Sequence, residues 1–205
     1  MDLRLIVITD AGNAEPRGVV AVVRAALEAG APAIQLRDKH ANARELFEQA
    51  TTLRALTASF GALFFVNDRL DVALAAGADG VHLGPDDMPL SAVRTAVPRP
   101  FLIGWSTDDP AAARAAAAAG ADYIGCGAVF GTTSKNIGDE RIGLEGLQRV
   151  VNAVSIPVVG IGGIDTRNVA QVAATGAAGA AVIRAVMAAP NVGAAVTALL
   201  APFSS

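Results

Sequence analysis

The 205-residue sequence predicts an α/β protein built as a single (β/α)8 (TIM) barrel, with residues 1–205 forming one domain. Three observations predict it. Of all residues, 53% are hydrophobic, enough for one sizeable core at this length and too few residues for two independent ones. Ala, Val, Leu, Ile and Gly dominate and aromatics are only 4%, which suits buried parallel strands under closely packed helices better than a β-sandwich. Finally, a short phrase recurs as Ala29-Gly30-Ala31, Ala76-Gly77-Ala78-Asp79 and Ala119-Gly120-Ala121-Asp122, with Thr175-Gly176-Ala177 as a variant. Each copy follows a helix-like stretch and precedes a short β-branched run, so each Gly suits the left-handed position just past a helix C-terminus.

The first strand is Leu3–Thr9, where acidic Asp2 ahead of a short apolar run also argues against a secretory signal. A helical stretch at Arg17–Ala29 leads over Gly30 into a strand at Ala33–Arg37, and another at Ala43–Phe60 into a strand at Leu63–Asn67. Gly80–Leu83 and Leu102–Ser106 are the fourth and fifth strands. The helical stretch Ala111–Ala119 precedes a strand at Tyr123–Cys126, Leu144–Val154 precedes Pro157–Ile161, and Thr166–Thr175 precedes Gly179–Ile183. A last helical stretch covers Gly193–Ala201. Strict alternation predicts a parallel sheet, and eight units favour a closed barrel over a doubly wound open sheet.

A net charge of −3 with scattered basic residues gives no general attraction to nucleic acid or to an anionic membrane, so any anion must be bound by local geometry. No apolar run is long enough to span a bilayer. The lone Cys126 cannot form an intramolecular disulfide, in agreement with a cytoplasmic setting. Pairing of two barrels through their helices is compatible with the sequence, and a homodimer is carried forward as an expectation.

In a barrel of this kind the active site is assembled after the C-terminal ends of the strands. Those positions are loaded with polar residues: Gln35 to Lys39, Asn67-Asp68-Arg69, His82 to Asp87, Trp105-Ser106-Thr107, the segment from Gly127 to Lys135, and Gly162-Gly163. The opposite rim is Ala, Gly and Pro. Asp68 and Asp87 follow neighbouring strands, and their carboxylates can converge on a hard cation such as Mg2+, whose octahedron waters and phosphate oxygens would complete. The plainer alternatives are Asp68 as a partner of Arg69 and Asp87 as a helix cap. Arg37, Lys39 and Lys135 can surround one polyanion and neutralise charge on a leaving pyrophosphate, with surface salt bridges as their alternative role.

Gly162-Gly163 and the Ile183–Arg184 turn follow strands seven and eight, where this fold often binds a phosphate, although a glycine pair can also serve only a tight turn. This second anion site stands apart from Arg37 and Lys39 and suggests two phosphorylated substrates. Thr132, Ser134 and Lys135 lie in a loop running to about Glu140, long enough to be a lid or binding loop. His82 has no second His or Cys nearby to form a metal set and is expected to be structural. His40 is expected to be exposed, and Cys126 is expected to be a small core residue rather than a nucleophile.

With these residues assembled, the sequence resembles the thiamine phosphate synthase family from about Leu5 to Pro190. The resemblance rests on Gln-Leu-Arg-Asp-Lys at 35–39, Val-Asn-Asp at 66–68, His82 to Asp87, and Ile-Gly-Gly-Ile at 161–164, in that order. It implies a pyrimidine diphosphate held by Gln35, Leu36, Arg37, Asp38, Lys39, Asn67, Ser106 and Lys135, and Mg2+ on Asp68 and Asp87. It implies a thiazole phosphate held by Thr132, Thr133, Ser134, Gly162, Gly163, Ile183 and Arg184. Arg37, Lys39, Ser106 and Lys135 would carry the chemistry, in which pyrophosphate departs first and the thiazole nitrogen attacks the resulting pyrimidinylmethyl cation. Departures from the family pattern are Ala128 and Gly131 where Pro is usual, Ser134 where Thr is usual, and Arg184 where Ser is usual. Serine keeps the hydroxyl, whereas Gly131 loosens the loop. Three rivals remain: a thiazole tautomerase of the same superfamily, which needs no pyrophosphate cradle; a Schiff-base aldolase using Lys39 or Lys135; and a non-catalytic phosphate-ligand binding barrel.

Overall fold

Short apolar runs become eight strands: β1 (Leu5–Ile8), β2 (Ala33–Leu36), β3 (Leu63–Asn67), β4 (Gly80–Leu83), β5 (Leu102–Ser106), β6 (Tyr123–Cys126), β7 (Val158–Ile161) and β8 (Gly179–Val182). In the computed structural model, which describes residues 1–97, 99–131 and 141–203, they pair in parallel and close in sequence order, β8 returning to β1. The fold is therefore the expected (β/α)8 barrel. Each strand lies within its predicted bounds. Pro157 stays outside β7 because it has no N–H for the ladder, yet its carbonyl still accepts from the Ile124 N–H at 2.9 Å.

Alternation along the strands divides the core in two. Inward-facing Ile6, Ile8, Phe65, Tyr123, Val159 and Ala181 fill the barrel interior. Outward-facing Val7, Ile34, Leu36, Phe64, Val66 and Ile103 pack under the helices. The covering helices are α1 (Ala11–Ala14), α2 (Val19–Glu28), α3 (Ala43–Ser59), α4 (Leu70–Ala75), α5 (Leu90–Ala96), α6 (Pro110–Ala118), α7 (Gly143–Val151), α8 (Val169–Ala174), α9 (Arg184–Met187) and α10 (Val192–Leu200). Of these, α1, α5 and α9 lie where no helical stretch is predicted: each has at most seven residues and no joint glycine follows it, whereas α4 is the helix-like stretch that the joint at Gly77 implies. None of the helices among the described residues is long and apolar enough to cross a membrane.

The repeated glycines do what their position demands. Gly30, Gly77, Gly120 and Gly176 have φ of 89°, 65°, 103° and 84° and end α2, α4, α6 and α8. The Asp that closes two of the repeats has a role beyond the joint. Asp79 Oδ2 accepts from the Phe64 N–H of β3 at 2.8 Å and from Arg54 of α3 at 2.9 Å. Asp122 Oδ2 accepts from the Ile103 N–H of β5 at 2.8 Å and from Arg94 of α5 at 2.5 Å. Each Asp thus latches the entry of its strand to the neighbouring strand and to the helix before that neighbour. Both latches sit at the barrel end opposite the polar loops, where they hold the fold.

Candidate active site

At the C-terminal rim, β3 ends in Asn67 and the chain turns at Asp68, whose φ of 63° is unusual for a residue with a side chain. The Asp68 N–H still donates to the His82 carbonyl at 2.9 Å, so the turn is tied to β4. Its carboxyl meets that of Asp87 over a cavity of about 360 Å³ at the barrel mouth. Burial raises the Asp68 carboxyl above its usual range and the facing Asp87 raises it further, against the opposing pull of Lys39 and Arg37. The plainer alternatives for the two carboxylates do not hold. Arg69 pairs with Asp71 at 2.6 Å, and α5 begins after Pro89 with no side-chain cap. Asp87 Oδ2 instead accepts from the Gly84 N–H at 2.7 Å, which fixes it in its own loop.

Two carboxylates forced together are a suitable seat for a small divalent cation, and Mg2+ commonly takes one or two carboxylates plus phosphate oxygens. Among the described residues no cluster of three or more His, Cys, Asp or Glu has metal-ligand spacing. The donor set therefore suits an ion that shares its shell with a phosphate, not a closed protein cage.

Gln35, Arg37, Lys39, Asn67 and Ser106 line the same cavity. Lys39 Nζ lies 3.9 Å from Asp68 Oδ2 and its side chain is 55% exposed, so it is reachable by an incoming anion. Arg37 is held by its backbone: the buried Thr9 hydroxyl accepts from the Arg37 N–H at 2.9 Å. Two other side chains of the motif are directed elsewhere. Leu36 points outward into the packing under the helices. Asp38 Oδ1 accepts from the His40 and Ala41 N–H groups and its Oδ2 from Gln49 at 3.1 Å, bonds that outweigh its partial burial and keep its carboxyl below the usual range. Asp38 shapes the loop after β2 and its side chain is not on the cavity wall, because period-two alternation puts only Gln35, Arg37 and Lys39 on one side.

A second cleft of about 980 Å³ adjoins the first, sharing Gly127, Ile161, Ala181 and Ile183 with it. Gly162, Gly163, Ile183 and Arg184 line it. The glycines have φ of 97° and 65°, and a Cβ on Gly163 would lie 2.5 Å from the Gly131 carbonyl oxygen. Val129 and Phe130 N–H groups donate to the Ile161 and Gly162 carbonyls at 2.9 Å, so the glycine pair lets the loop after β6 lie directly on the loop after β7. Arg184 is exposed at the start of α9. Thr132, Thr133, Ser134 and Lys135 lie outside the described residues. A shallow groove of about 570 Å³ around Arg17 and, on α2, Arg24 contains none of these groups.

The geometry therefore joins a carboxylate pair with flanking cations to a glycine-lined cleft, through a common wall. A family model described as thiamine monophosphate synthase matches residues 5–186, which takes in all eight strands of the barrel. The chain belongs to that family. A thiamine-phosphate synthase of Chloroflexus aurantiacus is 47% identical over 201 residues, covering 98% of this chain and 93% of the relative. One from Pyrococcus horikoshii is 50% identical over 191 residues, covering 93% and 89%. A solved thiamine phosphate pyrophosphorylase from Pyrococcus furiosus superposes with a TM-score of 0.89 at 48% identity, covering 98% and 96%. A 3-hexulose-6-phosphate synthase superposes with a TM-score of 0.71 at 19% identity, a likeness of barrel fold alone.

The histidine and cysteine expectations also hold within this family site. His82 is satisfied on both ring nitrogens, by the Tyr123 hydroxyl at 2.9 Å and Ser106 Oγ at 2.8 Å, and His40 is exposed. Tyr123 was not among the predicted site residues, although it is the sole tyrosine of the chain; it opens β6 opposite Gly104, below the strand's C-terminal end. Cys126 is fully buried, and burial pushes its thiol up to about 12, with Asp108 adding to the effect. A thiol so placed is a packing group. Iodoacetamide at pH 8 is expected to leave native Cys126 unmodified and to label it fully in denaturant, as read by intact mass. Rapid labelling of the native protein would contradict its burial.

Proposed function

We propose that the protein is a transferase that condenses aminohydroxymethylpyrimidine diphosphate with thiazole phosphate to give thiamine phosphate and pyrophosphate. The observation that carries this reading is the facing of Asp68 and Asp87 beside Lys39 and Arg37, in a chain of the thiamine monophosphate synthase family. Asp68 and Asp87 would hold Mg2+, which supplies electrophilic neutralisation of the diphosphate oxygens. Arg37 and Lys39 would bind the same diphosphate, with Lys135 joining them from the loop after β6.

As the carbon–oxygen bond breaks, its electron pair leaves with pyrophosphate, and charge grows on oxygens that the two cationic side chains already face. The methylene carbon left behind is a cation delocalised into the aminopyrimidine ring. The thiazole nitrogen then donates its lone pair to that carbon. The second cleft would hold the thiazole phosphate on backbone amides near Gly163 and on the Ile183–Arg184 turn, placing its ring across the shared wall of Gly127, Ile161 and Ala181. No protein nucleophile is needed, in keeping with a buried Cys126. Lys39, more than half exposed and beside a carboxylate, lacks the apolar setting of a Schiff-base lysine. We further propose that the enzyme works in the cytoplasm, as its free thiol favours.

The test is to mix both purified substrates with the protein, with and without Mg2+, and to detect thiamine phosphate through its fluorescent oxidation product. Product formed only with Mg2+ is the expected result. Isomerisation of thiazole phosphate without coupling would favour the tautomerase, and binding without turnover would favour the non-catalytic barrel.

A further inference from the structure

Deep in the first cavity, below the groups assigned to the diphosphate, a hydrogen-bonded chain crosses the barrel interior. Tyr123 from β6 meets His82 Nδ1 from β4 at 2.9 Å, and His82 Nε2 meets Ser106 Oγ from β5 at 2.8 Å. The Gln35 side-chain amide from β2 approaches the same phenol oxygen. Glycines on neighbouring strands make the space. A Cβ on Gly104 would stand 2.3 Å from Tyr123 Cζ and 2.4 Å from His82 Nδ1. A Cβ on Gly125 would stand 2.9 Å from His82 Cε1. The two rings also lie against each other, tilted by 36° with centroids 5.4 Å apart, and Phe65 closes on Tyr123 edge-on at 5.5 Å.

We propose that Tyr123 and His82 are positioning residues for Ser106: they hold the imidazole proton on Nε2, so that Ser106 accepts from His82 and offers its own hydroxyl hydrogen to a ring nitrogen of the pyrimidine substrate. The direction follows from counting donors. Tyr123 is fully buried, which pushes its phenol up and keeps it neutral with a single hydrogen to give. The Gln35 side chain acts against that rise, the sense of an amide N–H facing the phenol oxygen, and with that acceptor site taken the phenol hydrogen is assigned to His82 Nδ1. A neutral imidazole that accepts at Nδ1 carries its hydrogen on Nε2 and donates it to Ser106 Oγ. Ser106 lines the cavity, so its remaining hydrogen is directed to whatever the cavity holds. An aromatic ring nitrogen ortho to an amino group is an acceptor, and a hydroxyl made obligatorily a donor selects for it over a ring edge that offers only N–H or C–H.

This inference rests on the pyrimidine diphosphate reading of the cavity, but its first test does not. The chain has two histidines, His40 and His82, so a long-range proton–nitrogen NMR spectrum of the labelled protein at pH 7.5 resolves both rings. The expected pattern for His82 is a pyridine-type Nδ1 and a pyrrole-type Nε2. Hydrogen on Nδ1, or on both nitrogens, overturns the proposal even if the protein makes thiamine phosphate. The second test is kinetic. Tyr123→Phe is expected to lower kcat/KM for the pyrimidine diphosphate roughly 10- to 100-fold, the cost of misdirecting one buried hydrogen bond. KM for thiazole phosphate should be unchanged. In a Ser106→Ala background the same change should cost less than threefold, because Tyr123 acts through Ser106. Equal losses in both backgrounds would make the chain purely structural. If Tyr123→Phe does not fold, His82→Gln against His82→Leu decides: Gln presents an amide N–H near the Nε2 position and should retain at least tenfold more activity. Equal loss in the two would overturn the proposal. A wild-type protein that shows the expected tautomer but no coupling would refute the proposed reaction alone.

Discussion

Asp68→Asn is expected to lower the Mg2+-dependent coupling rate by roughly 10³-fold, since Lewis-acid neutralisation of a leaving group contributes several kcal/mol and each 1.4 kcal/mol is tenfold. Asn is preferred to Ala here because the backbone at Asp68 has φ of 63°, a conformation Asn tolerates and Ala does not. The variant should fold at least as well as the parent. In the parent, burial and Asp87 raise the Asp68 carboxyl above its ordinary value of 3.8, so the folded state binds its proton more tightly than the unfolded state. Stability from this group is therefore present at low pH and lost as pH rises from 3.8 through the raised value. Asn has no such loss. Thermal melts in chelator should show the variant's advantage growing between pH 4 and pH 7.5, while the assay shows activity collapsing. Activity retained within threefold would remove Asp68 from the cation site.

At the other end of the barrel, Asp122→Ala is expected to destabilise the protein by about 3 kcal/mol, or roughly 10 °C in melting temperature for a chain of this size. The Asp122 side chain is 4% exposed and binds Arg94 and Arg99 as well as the Ile103 N–H. Removing it leaves the mostly buried Arg94 guanidinium without its carboxylate and a strand N–H without an acceptor. At 20 °C, well below the transition, kcat should stay within about twofold of the parent, because the latch touches neither cleft. A melting temperature within 2 °C of the parent would show that the latch contributes little. The pair of variants would separate the catalytic rim from the stabilising one, as expected where active sites gather at the C-terminal ends of barrel strands.

Most of the architecture was legible because it depends on local rules. Helix-ending glycines at 30, 77, 120 and 176 and apolar runs of four or five residues specify joints and strands without reference to distant contacts. The short helices α1, α5 and α9 were not legible, since one or two turns carry little period and no joint glycine follows them. Among site residues, Gln35, Arg37 and Lys39 line one cavity, and strand alternation turns Leu36 and the Asp38 carboxylate away from it. The family motif names all five positions, but a motif does not say whether a side chain or only its strand is used. Tyr123 escaped for the opposite reason: it opens its strand instead of ending it, and its partners come from β2 and β4.

By itself the sequence determined the eight-unit alternation, the gathering of polar residues after the strands, and the resemblance to the thiamine phosphate synthase family. Only the tertiary structure decided that Asp68 faces Asp87 rather than Arg69, that the glycine pair serves the approach of two loops, and that Tyr123 reaches His82. The reason is physical. Propensity and periodicity act over a turn or a strand, whereas a shared cation seat or a hydrogen-bond chain exists only once closure of the barrel brings residues tens of positions apart to within 3 or 4 Å.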